Sequence, residues 1–195
     1  MIVGMKPAMR ISASLLVGAV IAGLLCPPAV ARQDDPRLNE LFAALSTTSD
    51  PARAQATVTR IWEVWYESGD ERIDRFLSTG RSAMVGGDFP KALASFDQAI
   101  AMDPEYAEAW NHRATLYYLI GNLEASAHDA ERTIELEPRH FGALSGLGLI
   151  GIRSGELQKA IEWFERALAV NPHARNAREN IDWARRQLDG ESRDN

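Results

Sequence analysis

The stretch FGALSGLGLIGIRSGELQKAIEWFERALAVNPHA, residues 141–174, decides the fold class of this chain. Its leucines and isoleucines recur at helical spacing, yet five glycines fall within residues 141–155. A glycine inside a helix costs roughly 1 kcal/mol relative to alanine, so this density needs a structural reason. Two apolar stripes flank Gly155, marked first by Leu144, Leu147 and Gly148 and then by Ile161, Phe164 and Leu168. The stretch therefore predicts two amphipathic helices joined by a turn at Gly155.

Two earlier windows, residues 73–106 and 107–140, repeat this arrangement at a spacing of 34 residues. Each window ends two residues after a proline, and each carries the same residue types at the same places. The shared places are a large apolar residue at the fourth (Phe76, Trp110, Leu144), a small one at the eighth (Gly80, Ala114, Gly148), glycine at the fifteenth (Gly87, Gly121, Gly155) and a small residue at the twentieth (Ala92, Ser126, Ala160). Phe96 and Phe164 stand at the twenty-fourth place. A helical hairpin repeated three times is the simplest interpretation.

These places resemble the tetratricopeptide repeat (TPR), whose W-x2-L-G-x2-Y…A-x3-F…P pattern has the same period. The resemblance covers 102 residues in three in-phase copies. It departs at the seventh place, where Thr79 and Arg113 replace leucine, and at the eleventh, where Ala83 and Gly151 replace tyrosine. The resemblance implies an all-α protein, a right-handed α-solenoid of antiparallel helix hairpins whose neighbours complete each other's core.

The segments around the repeats also have helical patterns. Residues 36–70 predict a degenerate N-terminal repeat, with Asp50 as N-cap and Pro51 in the first turn of its second helix. That helix carries a stripe expected to be buried, Val58, Ile61, Trp62 and Trp65. Residues 175–189 predict a capping helix with a polar outer face, and residues 190–195 a loose tail. The apolar face of the capping helix is Ala177, Ile181, Ala184 and Leu188.

Residues 1–31 have the features of a secretory signal peptide. Lys6 and Arg10 precede the apolar run ISASLLVGAVIAGLLC, and a small-x-small cleavage site ends at Ala31. We expect cleavage after Ala31 and a periplasmic or secreted protein; the alternative is an uncleaved inner-membrane anchor. Cleavage would remove Cys26, the only cysteine, together with two basic residues and no acidic one, which moves the net charge from −6 to −8. Disulfides and nucleic-acid binding are not expected of such a chain.

No catalytic, metal or cofactor motif emerges from the sequence. The four histidines lack the spacing of zinc enzymes such as H-E-x-x-H. The segment GLGLIG at residues 146–151 has G-x-G-x-x-G spacing but lies inside a helical pattern and does not follow a strand. We therefore expect a protein that is not an enzyme and has no cofactor or metal.

The resemblance implies a concave groove lined by the first helix of each hairpin. The places that face this groove hold Asp74, Leu77, Arg81, Glu108, Asn111, His112, Thr115, Tyr118, Gly142, Ser145, Gly146, Leu149 and Arg153. They lack the lysine and asparagine set with which chaperone-binding repeats clamp a C-terminal carboxylate. Gly142 and Gly146 have two interpretations, either tight backbone packing or a shallow floor for an extended partner chain.

The resulting functional hypothesis is an exported TPR scaffold or adaptor. It would bind a protein or peptide partner through the concave groove, with membrane contact only if residues 1–31 are retained. Two alternatives remain open, a membrane-tethered assembly factor and an accessory subunit of an envelope enzyme complex. The sequence does not identify the partner.

Overall fold

Acidic or amide side chains cap the N-termini of four of the described helices. In a computed structural model, which describes residues 33–191, Asp50, Asp70, Asp88 and Asn122 each accept a hydrogen bond from a first-turn backbone N–H. Such side chains satisfy donors that a helix start otherwise leaves unpaired. The described residues form nine helices: α1 Arg37–Thr47, α2 Pro51–Tyr66, α3 Glu71–Val85, α4 Phe89–Met102, α5 Ala107–Leu119, α6 Leu123–Leu136, α7 Phe141–Arg153, α8 Leu157–Val170 and α9 Arg175–Glu191. No strand occurs among residues 33–191.

A glycine with positive φ joins the two helices of each predicted repeat. The φ angles of Gly87, Gly121 and Gly155 are 79°, 84° and 75°. A residue with a Cβ is strained in this left-handed region, which is why glycine recurs there every 34 residues. The helix pairs that these turns create are α3–α4, α5–α6 and α7–α8.

A phenylalanine ring against a glycine sets the spacing within two of these pairs. A Cβ on Gly148 would lie 2.7 Å from the ring of Phe164, which is closer than real carbon contacts allow. Gly80 faces the ring of Phe96 in the same way. Both rings are almost fully buried, so the small eighth place and the aromatic twenty-fourth place work together as the sequence predicts.

Apolar contacts between neighbouring pairs join the hairpins into one stack. A buried cluster runs from Leu77 of α3 and Phe96 of α4 to Leu116 of α5, and another joins Ala130 of α6 to Leu147 of α7. The last cluster joins the buried residues of α8 to Ala177, Ile181 and Ala184 of α9, and Leu188 packs against it partly buried. The predicted all-α solenoid of hairpins is thereby confirmed.

Helix α9 extends beyond the predicted capping helix. It ends at Glu191, so residues 190 and 191 close the helix and do not belong to a tail. Its predicted outer face is exposed at Arg178, Glu179, Asp182, Arg185 and Arg186. Residues 192–195 and the predicted signal segment, residues 1–31, lie outside the described residues. None of the helices within residues 33–191 is both long and apolar enough to cross a membrane.

Arg113, which replaces leucine at the seventh place of the second repeat, is held by two carboxylates. Its Nε and Nη2 donate to Asp129 at 2.7 and 3.0 Å, and its Nη1 donates to Asp97 at 2.6 Å. The Asp129 side chain is 1% exposed, so a bidentate pair compensates for its burial. The substitution therefore exchanges an apolar contact for an ionic link among α4, α5 and α6.

The N-terminal hairpin does not pack as a further repeat at the end of the stack. Helices α1 and α2 form a pair over residues 36–70, as predicted, but their buried residues cluster with Phe141 of α7. Residues of α3 belong to a different cluster. Tyr106, which precedes α5, donates its hydroxyl to the Trp65 carbonyl at 2.6 Å. The hairpin thus crosses the later repeats instead of extending the solenoid.

We expect Phe164→Ala to lower the free energy of unfolding by about 3–5 kcal/mol, because the change removes a buried ring and leaves a cavity over Gly148. Leu119→Ala is the control, since Leu119 is 53% exposed and should change stability by less than about 0.5 kcal/mol. Equilibrium chemical denaturation followed by circular dichroism measures both. A Phe164→Ala curve that superimposes on wild type would contradict the assigned repeat register.

Candidate partner-binding groove

Helix α2 lies across the groove that the sequence predicts to be open. Trp62, near its C-terminal end, sits over Gly142 at the start of α7, where an added Cβ would be 2.7 Å from Trp62 Cη2. At its N-terminal end, α2 lines a cavity with Pro51 and Ala54, and Asn171, ahead of α9, lines the same cavity. Of the two interpretations of Gly142, close packing and an open floor for a partner chain, the structure supports close packing. The element that packs there is α2, through Trp62.

Three aromatic side chains of α2 contact polar side chains of the repeats. Trp65 stacks on the His140 ring with centroids 4.2 Å apart and planes 15° apart. Tyr66 stacks on His112 at 5.8 Å, and the guanidinium of Arg81 lies 4.8 Å from the Tyr66 ring centroid. Stacking and cation–π contacts of this kind stabilise the packing of α2 beyond the contribution from burying apolar surface.

Beneath these rings lies a buried carboxylate. Glu108 of α5 is 1% exposed and accepts hydrogen bonds from His140 Nε2 at 2.8 Å and from Asn111 Nδ2 at 3.1 Å. The Ala143 backbone N–H donates to His140 Nδ1 at 3.0 Å, so Nδ1 is unprotonated and His140 donates through Nε2–H. His140 consequently caps α7 and partners Glu108 as a neutral ring.

Two buried nitrogen atoms in this region lack a hydrogen-bond partner. One is Trp65 Nε1 and the other is His112 Nε2. His112 Nε2 lies 3.3 Å from a Glu108 oxygen, close enough for electrostatic attraction but without hydrogen-bond geometry. Burial lowers the pKa of His112, and this outweighs the opposing effect of Glu108. The interface between α2 and the groove thus contains many ring contacts but leaves two buried nitrogen atoms without hydrogen bonds.

Six predicted groove residues have contacts within the chain that restrict a partner's access to them. Asp74 accepts hydrogen bonds from Ser68 in the α2–α3 connection, and Leu77 is a core residue only 3% exposed. Glu108, His112 and Gly142 lie beneath α2, and Arg81 stacks on Tyr66 at the same edge. The prediction of an open groove is wrong at Glu108, His112 and Gly142, because α2 packs over them, and at Leu77, because it belongs to the core of α3, α4 and α5.

The remaining predicted residues keep access to solvent. Gly146 has no atom within 4 Å of a built Cβ, so it forms the open floor that its second interpretation describes. A cavity of about 180 Å³ lies over it. Its lining includes Asn111, Thr115, Tyr118, Ser145 and Leu149. Arg153, exposed at the end of α7, donates to the Tyr118 carbonyl at 2.7 Å and borders this region.

A second cavity, of about 910 Å³, adjoins the first, because Ser145 and Leu149 line both. Its far walls come from elements that the sequence analysis did not assign to the groove. Helix α2 contributes Pro51, Ala54, Gln55 and Val58, and the α8–α9 region contributes Asn171, His173, Arg175, Asn176, Arg178 and Asn180. We call the two cavities together the open cleft. Asn176 and Asn180 are one helical turn apart, a spacing that marks one polar face of α9.

The amide and cationic side chains of the open cleft offer hydrogen-bond donors beside an apolar recess. This combination suits an extended chain with one apolar side chain.

Among residues 33–191, no group of three or more His, Cys, Asp or Glu side chains could hold a metal ion.

Burial of His112, which lowers the pKa of its imidazole, makes the stability of the fold depend on pH. In the unfolded chain His112 takes up a proton below about pH 6.5, whereas the folded ring, facing Glu108, Arg81, His140 and Tyr66, resists protonation. The free energy of unfolding should therefore fall as pH drops below that value. We expect His112→Phe, which keeps a ring between Tyr66 and Phe96, to lose less stability than wild type between pH 7.5 and pH 5.5. Thermal unfolding at both pH values tests this; equal losses in both proteins would exclude His112 as the source.

Comparison with known proteins gives relatives with the same repeats. Residues 77–133 and 120–177 match the tetratricopeptide repeat family. The chain is 38% identical over 154 residues to a TPR repeat-containing protein of Rhizobium etli, covering 79% of this chain and 76% of that protein. It is 25% identical over 124 residues to small glutamine-rich tetratricopeptide repeat-containing protein 2 of Mycosarcoma maydis, covering 64% of this chain and 35% of that protein.

Solved structures show the same fold. The Sgt2 TPR domain from Aspergillus fumigatus superimposes with a TM-score of 0.59 at 24% identity, covering 62% of this chain and 82% of that one. The TPR2B domain of yeast Sti1, in a complex with pHsp70, has a TM-score of 0.57 at 20% identity, covering 60% of this chain and 99% of that one. With the family match across the three hairpins and the extensive similarity to the Rhizobium protein, the chain belongs to the tetratricopeptide repeat family.

Proposed function

We propose that this protein is an exported, non-catalytic adaptor that binds an extended segment of a protein partner in the open cleft. The observation that carries the proposal is that the two cavities adjoin along α7, where Ser145 and Leu149 line both. A peptide can lie along the larger cavity and place one apolar side chain over Gly146. Few polar groups around an apolar recess are the usual composition of a specific binding pocket.

The charges of the cleft favour one orientation of the peptide. Arg175, Arg178 and Glu179 line the end near α9, which leaves one excess positive charge there to attract a carboxylate of the partner. Glu108 lies behind the opposite end, where a second carboxylate would meet a buried like charge. We infer that the acidic end of the ligand points towards α9.

A chaperone-tail receptor is a weaker candidate for this chain. The yeast Sti1 domain binds an Hsp70 peptide in its complex, and that likeness supports a peptide ligand in general terms. Here, however, α2 and Glu108 occupy the part of the concave surface formed by the first turns of α5 and α7. An acidic tail directed into that part would have to displace α2 and approach a buried carboxylate.

Filling the floor of the cleft should prevent binding. Gly146→Leu places a side chain in the 180 Å³ cavity, and leucine is a better helix former than glycine, so the fold should be retained. We expect crosslinking in whole cells, followed by affinity purification and mass spectrometry, to recover partners at least about 10-fold less efficiently with this variant than with wild type.

Gly190→Leu is the matched control, because Gly190 also has free space around it but does not line the cleft. Equal recovery by all three proteins would show that the open cleft is not the binding surface. Asn111→Ala is a poorer probe, since its amide already donates to Glu108 and its loss would disturb a buried carboxylate.

The proposal of export rests on the sequence of residues 1–31. A basic start, an apolar run and the Ala29-Val30-Ala31 site together favour cleavage by a signal peptidase. We expect N-terminal sequencing of the protein from fractionated cells to begin at Arg32, in a fraction outside the cytoplasm. Recovery of Met1 in the membrane fraction would support the anchored alternative instead.

A further inference from the structure

We infer that the surface beneath α2 is a binding site for an amphipathic helix of a protein partner, with aromatic residues one turn apart. This surface, here named the aromatic seat, consists of five polar or small residues and one apolar ring: Arg81, Glu108, His112, His140, Gly142 and Phe141. In the structure α2 of the same chain fills it, so α2 acts as an internal competitor. The inference rests on the proposed function in one respect only, that the partner is a protein.

The seat is built for aromatic rings at fixed spacing. Because Gly142 has no side chain, the indole of Trp62 fits against its backbone. Any other residue at position 142 would place a Cβ too close to that ring. His140 and His112 each offer a flat face, against which Trp65 and Tyr66 stack with planes 15° and 12° apart. The three rings stand at i, i+3 and i+4 of one helix, which is the spacing by which a helix presents side chains to a groove.

The N-terminal hairpin has its own core and can move as a unit. Leu38, Leu45, Ile61 and Val64 bury one another, and the repeats contribute to that cluster chiefly through Phe141. The clusters that hold the repeats together contain no residue of α1 or α2. Opening of the hairpin therefore leaves the stack of repeats intact, as expected of a separate cooperative unit.

The fit of α2 to the seat leaves room for a better ligand. Trp65 Nε1 and His112 Nε2 are buried without hydrogen bonds, a state that native cores rarely tolerate. Trp65 belongs to α2, whereas His112 belongs to the seat. A partner helix that pairs with His112 Nε2, and that places no unpaired donor where Trp65 Nε1 lies, would gain an interaction that α2 does not make. Buried polar groups surround the apolar ring of Phe141 in the seat, so α2 does not cover a purely apolar core.

The affinity of a partner helix depends on the fraction of molecules in which the N-terminal hairpin has moved away from the seat. A ligand that binds only the open form has an apparent dissociation constant equal to its intrinsic constant divided by that fraction. Weakening α2 without changing the seat should therefore strengthen binding of a helix in trans. This direction of change is opposite to that of an ordinary surface substitution, which weakens binding or leaves it unchanged.

The test uses a synthetic peptide with the sequence of α2, residues 51–66, labelled for fluorescence anisotropy and titrated with the full chain. We expect Trp62→Ala in the protein to tighten binding of this peptide at least about 10-fold relative to wild type. Adding Gly142→Leu to that variant should abolish the gain, because a leucine side chain then occupies the space of the Trp62 indole. A peptide with alanine at the three aromatic positions should not bind either protein.

Equal affinity of wild type and Trp62→Ala for the peptide, or binding that does not depend on its aromatic residues, would overturn the inference. Hydrogen exchange provides a second measurement if Trp62→Ala fails to fold. Saturating peptide should speed exchange of α2 amides in the wild-type protein and leave α4–α8 protected; unchanged α2 protection with bound peptide would contradict exchange at the seat.

A second copy of the chain is the competing occupant. Light scattering across a range of protein concentrations distinguishes it from a partner helix. A wild-type dimer that Trp62→Ala abolishes would assign the seat to α2 of another copy and overturn assignment to a different protein. The Gly146→Leu variant, which leaves α2 unchanged, tests the open cleft separately.

Discussion

The ring of Phe164 lies directly on Gly148, and this contact fixes how closely the two helices of a hairpin approach. Once the helices are that close, their outer faces cannot be buried within the hairpin, and each hairpin must pack against its neighbour. Stacking in this way places α3, α5 and α7 side by side. Every groove property of the protein follows from this alignment, since these three helices carry the exposed places of the repeat.

His140 connects the stack to the hairpin that covers it. Its Nδ1 caps α7, its Nε2–H binds the buried Glu108, and its face carries the indole of Trp65. All three contacts require the same orientation of the ring, so they restrain one another. A single side chain at the junction of the second and third repeats therefore links helix initiation, burial of a carboxylate and the position of α2.

The repeats were predictable because their information is local. Gly155 and Phe164 lie within one 34-residue window, so a periodic pattern reveals both the turn and the packing partner. The stripe on α2 was also predictable as a buried face, and Ile61 and Trp65 are buried. Its partner was not, because Trp62 meets Gly142, 80 residues further along the chain, and nothing in the local pattern distinguishes stacking on α3 from crossing to α7.

For the same reason the site was predicted only in part. The repeat places correctly identify the surface of α7 that contains Ser145, Gly146 and Leu149, which lines the open cleft. They do not reveal that another helix of the chain occupies the space before Glu108 and His112. The walls that α2 and α9 add to the cleft depend on tertiary packing, and only the polar spacing of Asn176 and Asn180 gave a signal for them.

A helix that leaves its groove exposes the surface it covered, and the chemistry of that surface decides whether the open form is tolerated in water. An apolar seat would make an open form prone to association. The seat under α2 combines one apolar ring, Phe141, with a carboxylate, two imidazoles and a guanidinium, which water solvates well. Stacking on the histidines gives α2 a defined position, and contact with Phe141 adds apolar burial. The polar groups that water can solvate, and the two nitrogen atoms left unpaired in the closed form, lower the free-energy difference between closed and open forms. A small difference is the condition for a partner helix to compete with α2.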